Sequence, residues 1–334
     1  MKHIIKNWVH IPGLHCGSTA LRDTVTYYGY SFSEALCFGL GAGLGFFYMK
    51  AGHLNPTRII HLRGHGMEPN FFSLINKPTQ WKYEENENIA LDTLKEYIAN
   101  DIPLLIQTDI YYLDYYRSST HFPGHVVSVW GYDDETQTVF LADTGFEGLQ
   151  PISYESLKRA RTSKAQPFPL ENNWFEVILD KPIPPLKDII PEAIRKNAKS
   201  MLEGVISPRG ESSVRMIKVW SDELPEWEEA SDWKWCARFA YQVIEKRGTG
   251  GGGFRWIYRD FLREAEEIIP NLKELGLSEK MDTLGHRWSE LSRVLKQISE
   301  SETPRNLFKK ASSMAREIWE LEGEFYLTVL SKLQ

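Results

Sequence analysis

Gly13-Leu14-His15-Cys16-Gly17-Ser18-Thr19-Ala20-Leu21 puts a cysteine where a proline- and glycine-containing loop gives way to a helix. Ala20, Leu21, Val25 and Tyr28 recur at helical spacing and Gly29 supplies a stop, so a helix is predicted over 17–29. The first turn of a helix carries unpaired N–H groups and the positive end of the helix dipole. Both favour thiolate over thiol, and the thiolate is the nucleophile. Free cysteines are more often small buried hydrophobes. Cys16 therefore counts as a nucleophile only if the chain also supplies a base and a group to orient it.

A predicted hairpin supplies both. His125-Val126-Val127-Ser128-Val129-Trp130-Gly131 is strand-like by its β-branched content, Asp133-Asp134-Glu135-Thr136 is a turn cluster, and Val139-Phe140-Leu141-Ala142-Asp143 is the return. With an odd loop such as Asp133 to Glu135, Tyr132 pairs with Thr136 and His125 stands directly opposite Asp143. Opposed residues share a face, with Cβ atoms about 5 Å apart. An even loop slips the register by one and spoils the pairing unless a bulge restores it. Cys16, His125 and Asp143 then read as nucleophile, base and the carboxylate that fixes the base's tautomer.

Around this hairpin the chain predicts strands at Phe46 to Met49, Arg58 to Leu62, Leu104 to Thr108 and Trp174 to Leu179. Helices are predicted at Met67 to Ile75 and Ile89 to Ile98, and Ser33 is a helix N-cap candidate. The glycines at 39, 41, 43 and 45 are read as a close backbone approach. No Lys-Ser or Lys-Thr follows them, as a phosphate loop would require. Tyr111, Tyr112, Tyr115 and Tyr116 crowd one loop, either packed by its own rings or forming a wall of a substrate cleft.

The chain has 334 residues, 42% hydrophobic and 25% charged, enough for two domains with real cores. The net charge of −6 argues against nucleic acid or an anionic membrane as main partner, yet leaves room for a local basic patch. Three cysteines, Cys16, Cys37 and Cys236, make neither a disulfide framework nor a metal-ligand spacing, so no metal is expected. No signal peptide is read at the N-terminus, and Ala35 to Met49 is too short to span a bilayer; a cytoplasmic location is expected.

The order Cys16-Gly17, Tyr27-Tyr28-Gly29, His125-Val126-Val127, Gly131-Tyr132-Asp133 and Asp143 resembles papain-like cysteine enzymes, in particular the peptidases that trim bacteriocin leaders. A closer resemblance is to the butirosin biosynthesis protein H family. It rests on His15-Cys16-Gly17-Ser18, the run Phe38 to Phe46, Gly124-His125-Val126-Val127, Gly248-Thr249-Gly250-Gly251, Phe254-Arg255-Trp256-Ile257-Tyr258 and Phe261-Leu262. That resemblance implies an α+β fold: a papain-like domain with an antiparallel sheet, followed by an all-α domain. It implies acyl or aminoacyl transfer from a carrier-protein thioester to a small amine in aminoglycoside-like metabolism, through a Cys16 thioester. No bound cofactor is implied beyond phosphopantetheine on the partner carrier. Papain-like enzymes usually carry a Gln six residues before the cysteine as an oxyanion donor. His10 stands there in this chain, and His15 is a second candidate.

Domains are expected at 1–180 and 188–334, joined by the proline-rich linker 181–187. Helices are expected at 188–203, 211–220, 227–246, 253–268, 282–299 and 304–332, with no strand hairpin. Gly248 to Gly253 satisfies G-x-G-x-x-G but follows a helix, so a dinucleotide site fails its context test. The loop reads as a turn, or as an anion site in which Gly250, Gly251 and Arg255 take a pantetheine phosphate; Tyr112 is a further substrate-binding candidate. Trp220, Trp227, Trp233 and Trp235 read as core or as an acceptor-stacking surface. A peptidase or amidase on the same triad and a non-catalytic binding protein of this fold are the alternatives, and a homo-oligomer is compatible with either.

Overall fold

The computed structural model describes residues 1–166, 168–207 and 210–333; Gln334, the last residue of the expected helical domain, lies outside them. In chain order the elements begin with β1 (Lys2–Ile4), α1 (Cys16–Tyr27), α2 (Glu34–Leu40), β2 (Leu44–Lys50), β3 (Arg58–Arg63), α3 (Met67–Leu74) and α4 (Glu87–Ala99). There follow β4 (Leu104–Asp109), β5 (Pro123–Asp133), β6 (Thr138–Ala142), β7 (Gln150–Ser153), α5 (Tyr154–Arg161) and β8 (Trp174–Glu176). The remainder is α6 (Leu186–Glu203), β9 (Val205–Ser207), β10 (Gly210–Ser212), α7 (Val214–Glu223), α8 (Trp233–Glu245), α9 (Arg255–Ile268), α10 (Leu277–Glu300) and α11 (Arg305–Lys332). The class is α+β, with every strand pairing antiparallel.

Two compact units divide the chain, each built from two stretches: Met1–Cys37 with Ile75–Ile183, and Phe38–Leu74 with the residues from Pro184 onward. The first unit holds a sheet in the order β7-β6-β5-β4-β8, with β1 pairing β5. Strand β5 is buried along nearly its whole length, which is why apolar residues stand on both faces of Val126-Val127-Ser128-Val129-Trp130 instead of alternating. Helix α1 packs against it, and Ile98, Leu104, Ile106, Val127, Val129, Leu141 and Leu157 belong to the surrounding core.

The hairpin takes the second of the two forms open to it, an even loop with a restoring bulge, and not the odd loop. Asp133 pairs with Thr138 and Tyr132 with Val139 rather than Thr136, so the loop is 134–137 and even. Between Val129 and Gly131 the register shifts, making Trp130 the extra residue of a bulge; beyond it Ser128 faces Ala142. That shift returns the strand to the parity the even loop had lost. Continued by one pair, it sets Asp143 level with Val127, so His125 and Asp143 share a face as diagonal neighbours, not directly opposed ones.

The second unit corrects the all-α expectation. It contains a sheet ordered β3-β2-β10-β9, and β9 and β10 form a hairpin inside the stretch expected to be helical. It also corrects the boundaries 1–180, 181–187 and 188–334, because 38–74 lies with the C-terminal half. The cause is pairing at long range. Phe47 of β2 pairs with Ser212, and the Asn197 side chain donates to the Leu44 carbonyl (2.9 Å) while accepting its N–H (3.4 Å), as a neighbouring strand would. The glycine run serves close approach: a Cβ on Gly39 would fall inside the Phe261 ring. Trp220 and Trp227 are fully buried, with Trp220 stacked on Trp288 (centroids 6.0 Å) and edged by Phe46, so these two indoles are core and not an acceptor surface.

Candidate active site

Cys16 opens α1, as its sequence context requires, and is half-buried. His15 caps the helix: its ring Nδ1 accepts the Ser18 N–H (3.2 Å) and its carbonyl accepts the Thr19 N–H (2.9 Å). The N–H groups of Cys16 and Gly17 have no acceptor among the described residues, as the first turn of a helix leaves its donors. Glu34 organises the loop in front. Its carboxylate accepts from the N–H of Leu14 (2.9 Å), the N–H of His15 (2.7 Å) and the Ser18 hydroxyl (3.1 Å). Gly13 donates to the Thr144 carbonyl (2.8 Å), which ties this loop to the segment after Asp143. Only glycine fits there, since a Cβ would overlap the Thr19 hydroxyl.

His125 is buried on β5, and its Nε2 lies 2.8 and 3.0 Å from the two carboxylate oxygens of Asp143. Asp143 is itself buried and accepts two further hydrogen bonds, from Tyr115 (2.7 Å) and Tyr116 (3.3 Å). The Tyr116 ring stands edge-on to the His125 ring (5.4 Å, 86°), and both tyrosines pack on Phe146. Burial first, and the Asp143 charge second, raise the pKa of both phenols, so they remain donors.

With Nε2 committed to Asp143, Nδ1 of His125 is left for the sulfur. Burial works against a charged His125, but the Asp143 charge and hydrogen bonding to Asp143 and Cys16 lift its pKa to about 10. Burial likewise works against the Cys16 thiolate. The charge of His15 and hydrogen bonds from His125 and His15 outweigh it, and the thiol pKa falls well below the ordinary value. The two shifts run in opposite directions, Cys16 down and His125 up, and so favour a thiolate beside an imidazolium whose ring Asp143 steers.

The other sequence candidates are placed differently. His10 is corrected as an oxyanion donor: its Nδ1 meets Asp23 (2.5 Å) and its Nε2 meets the Phe146 carbonyl (2.8 Å), so both ring nitrogens are spent. Burial opposes its charge, yet Asp23 holds its pKa above the usual imidazole value. Arg255 is corrected as an anion binder. It is fully buried, donates to Glu322 (2.7 Å) and the Gly253 carbonyl (2.6 Å), and lies over the Trp288 ring, whose indole N–H shares the same Glu322 oxygen (2.8 Å). In the glycine loop the Gly251 N–H is taken by the Thr249 hydroxyl (3.1 Å), and Gly251 and Gly252 fit closely against Trp256 and Gly285. The loop is a tight turn, and Gly250 and Gly251 form no anion cradle with Arg255. Tyr112 meets Tyr111, His121 and Arg159, not the triad. Glu34 was not singled out from sequence, because a first-turn glutamate carries no signal of a loop 20 residues upstream. The Tyr115-Tyr116 pair did carry one, in its crowding before His125.

Among the described residues no group of His, Cys, Asp and Glu is placed to hold a metal ion, and no helix is long and apolar enough to cross a membrane. The fold and site thus define an α+β protein with a cysteine at a helix tip, paired to a carboxylate-steered histidine. Residues 15–144 match the family model described as butirosin biosynthesis protein H, N-terminal, in agreement with the resemblance read from the motifs, and residues 155–329 match the domain of unknown function DUF4872. The second match spans more than half of the chain, which therefore belongs to the DUF4872 family, with the butirosin-type domain ahead of it. Among curated proteins there is no match.

Proposed function

We propose that this protein is a cysteine-dependent acyltransferase of papain-like type, acting in antibiotic biosynthesis of the aminoglycoside kind. The observation that carries the reading is the buried relay from Cys16 through His125 to Asp143. The N-terminal family match supports the biosynthetic setting. The Cys16 thiolate attacks the carbonyl of a carrier thioester, and the Cys16 and Gly17 N–H groups receive the oxyanion. The carrier thiolate leaves, taking the proton of the His125 imidazolium, and the acyl group stays on Cys16 as a thioester. His125, now neutral, removes a proton from an incoming amine, whose nitrogen displaces Cys16 and forms the amide. Phosphopantetheine, in this reading, belongs to the carrier partner.

The test is intact-mass spectrometry of the full chain with an aminoacyl N-acetylcysteamine thioester, followed by an aminoglycoside amine. An acyl adduct on the wild type that Cys16→Ala lacks, discharged faster by the amine than by buffer, is expected. Discharge at the same rate with and without amine replaces the reading with a hydrolase on the same triad. No adduct on the wild type leaves a non-catalytic protein.

A further inference from the structure

Outside the triad, the second unit carries a concentration of cations that the proposed reaction does not use. Lys246 and Arg247 follow the last turn of α8, Arg238 lies two turns back, and Lys296 faces them from α10. Together with Tyr241 and Gln242 they line a shallow, open depression of about 430 Å³ on the surface. In a chain of net charge −6, four cations here meet one carboxylate: Glu300, which pairs with Arg238 (3.1 Å). Among the described residues no carboxylate lies within ion-pair distance of Lys246, Arg247 or Lys296.

The lining is also one-sided in its hydrogen bonding. The Gln242 side-chain oxygen accepts from Arg247 Nε (3.2 Å) and Nη2 (2.9 Å), and its backbone oxygen accepts the N–H groups of Lys246 (2.8 Å) and Arg247 (2.9 Å). Its amide NH2 is left as a donor. Gln242 also fixes the Arg247 guanidinium, which lies over the Phe239 ring (4.7 Å). Tyr241 is flanked by Arg238 (5.7 Å) and Lys296 (5.9 Å), and its hydroxyl can donate as well. Burial alone lowers the Arg247 pKa, with no anion set against it. A partly desolvated guanidinium among donors costs free energy until an acceptor-rich anion arrives. The α8 carbonyl end calls for some positive charge, but that demand fades within one turn and does not reach Lys296 on another helix.

We infer that the α8–α10 depression binds a phosphate group bearing at least two negative charges, carried by a small molecule. The inference does not depend on the acyltransferase reading. Isothermal titration of the full chain with inorganic pyrophosphate, phosphopantetheine and unphosphorylated pantetheine tests it. Pyrophosphate is expected to bind, more weakly as salt is raised, and pantetheine not to bind. The double variant K246Q/K296Q, on exposed positions, is expected to weaken pyrophosphate at least tenfold while leaving Cys16 alkylation unchanged, which separates this site from the triad. Phosphopantetheine binding as pyrophosphate does would mark the donor arm as a source of the phosphate; pyrophosphate binding alone would mark a free phosphorylated metabolite. No heat with millimolar pyrophosphate, or unchanged affinity in K246Q/K296Q, overturns the inference and leaves the cations as partners of the α8 carbonyls.

Discussion

Replacing His125 with alanine should convert Cys16 from an ionised sulfur into an ordinary thiol, and the size of the change follows from the ion pair. In the wild type the His125 pKa is raised to about 10 and that of Cys16 is lowered well below its usual value. The sign is then fixed: between those two limits the histidine keeps its proton and the cysteine has lost its own. Alkylation should stay nearly flat with pH well below the ordinary thiol range of about 8.5 and turn only as His125 deprotonates. Without His125, an unassisted thiol of pKa about 8.5 is roughly 0.3% thiolate at pH 6. The loss of reactive form is therefore about 300-fold, reduced because a low-pKa thiolate is intrinsically the weaker nucleophile. A net loss of about tenfold or more at pH 6 is expected. The rate should then climb about tenfold per pH unit toward the ordinary thiol range. Iodoacetamide labelling followed by intact mass measures this, with Cys16→Ala giving the background from buried Cys37 and Cys236, and circular dichroism confirming the fold. A wild-type profile that inflects near pH 8.5, or a flat profile retained in His125→Ala, would refute the reasoning; the second result would transfer the role to His15.

Tyr115→Phe removes the shorter phenol bond to a buried carboxylate and should cost about 1–3 kcal/mol of stability, read as a lower Tm. It also weakens the hold on Asp143, so the upper turn of the Cys16 alkylation profile should shift. Glu34→Ala leaves the Leu14 and His15 N–H groups without their acceptor, while the Ser18 hydroxyl keeps the His15 carbonyl; a several-fold slower alkylation of Cys16 with unchanged helical content is expected, and an unchanged rate counts against its positioning role. Arg255→Ala strands Glu322 as a buried charge and should destabilise by about 3–5 kcal/mol, seen in denaturant midpoints. The Cys16 pH profile should not move in that variant.

Local chemistry was readable from sequence, and long-range pairing was not. The helix behind Cys16 announces itself through apolar spacing, and His125 and Asp143 through strand content on either side of a turn. The choice between an odd loop and an even loop with a bulge is not legible, because loop parity cannot be read from Asp133-Asp134-Glu135-Thr136 and nothing in Val129-Trp130-Gly131 marks a bulge. The assignment of 38–74 to the C-terminal unit escaped for a related reason: Asn197 and Ser212, which hold β2, lie more than 150 residues downstream. Arg255 at a helix start looks like an anion site until Glu322, 67 residues on, is seen to neutralise it. His10 looks like a donor until Asp23 and Phe146 claim both nitrogens.

The bulge at Trp130 reaches further than the hairpin. Its indole N–H bonds Ser128 (2.8 Å), and its ring presses edge-on against Tyr27 of α1 (5.5 Å, 73°), the helix whose other end holds the sulfur. One extra residue thus phases the base with its carboxylate and also sets a wedge under the nucleophile's support. Shortening the 134–137 tip by a single residue while keeping the wedge would turn Asp143 away from the ring, whereas shortening it by two would keep Asp143 on the face of His125. Variation in that tip is for this reason expected to come in pairs.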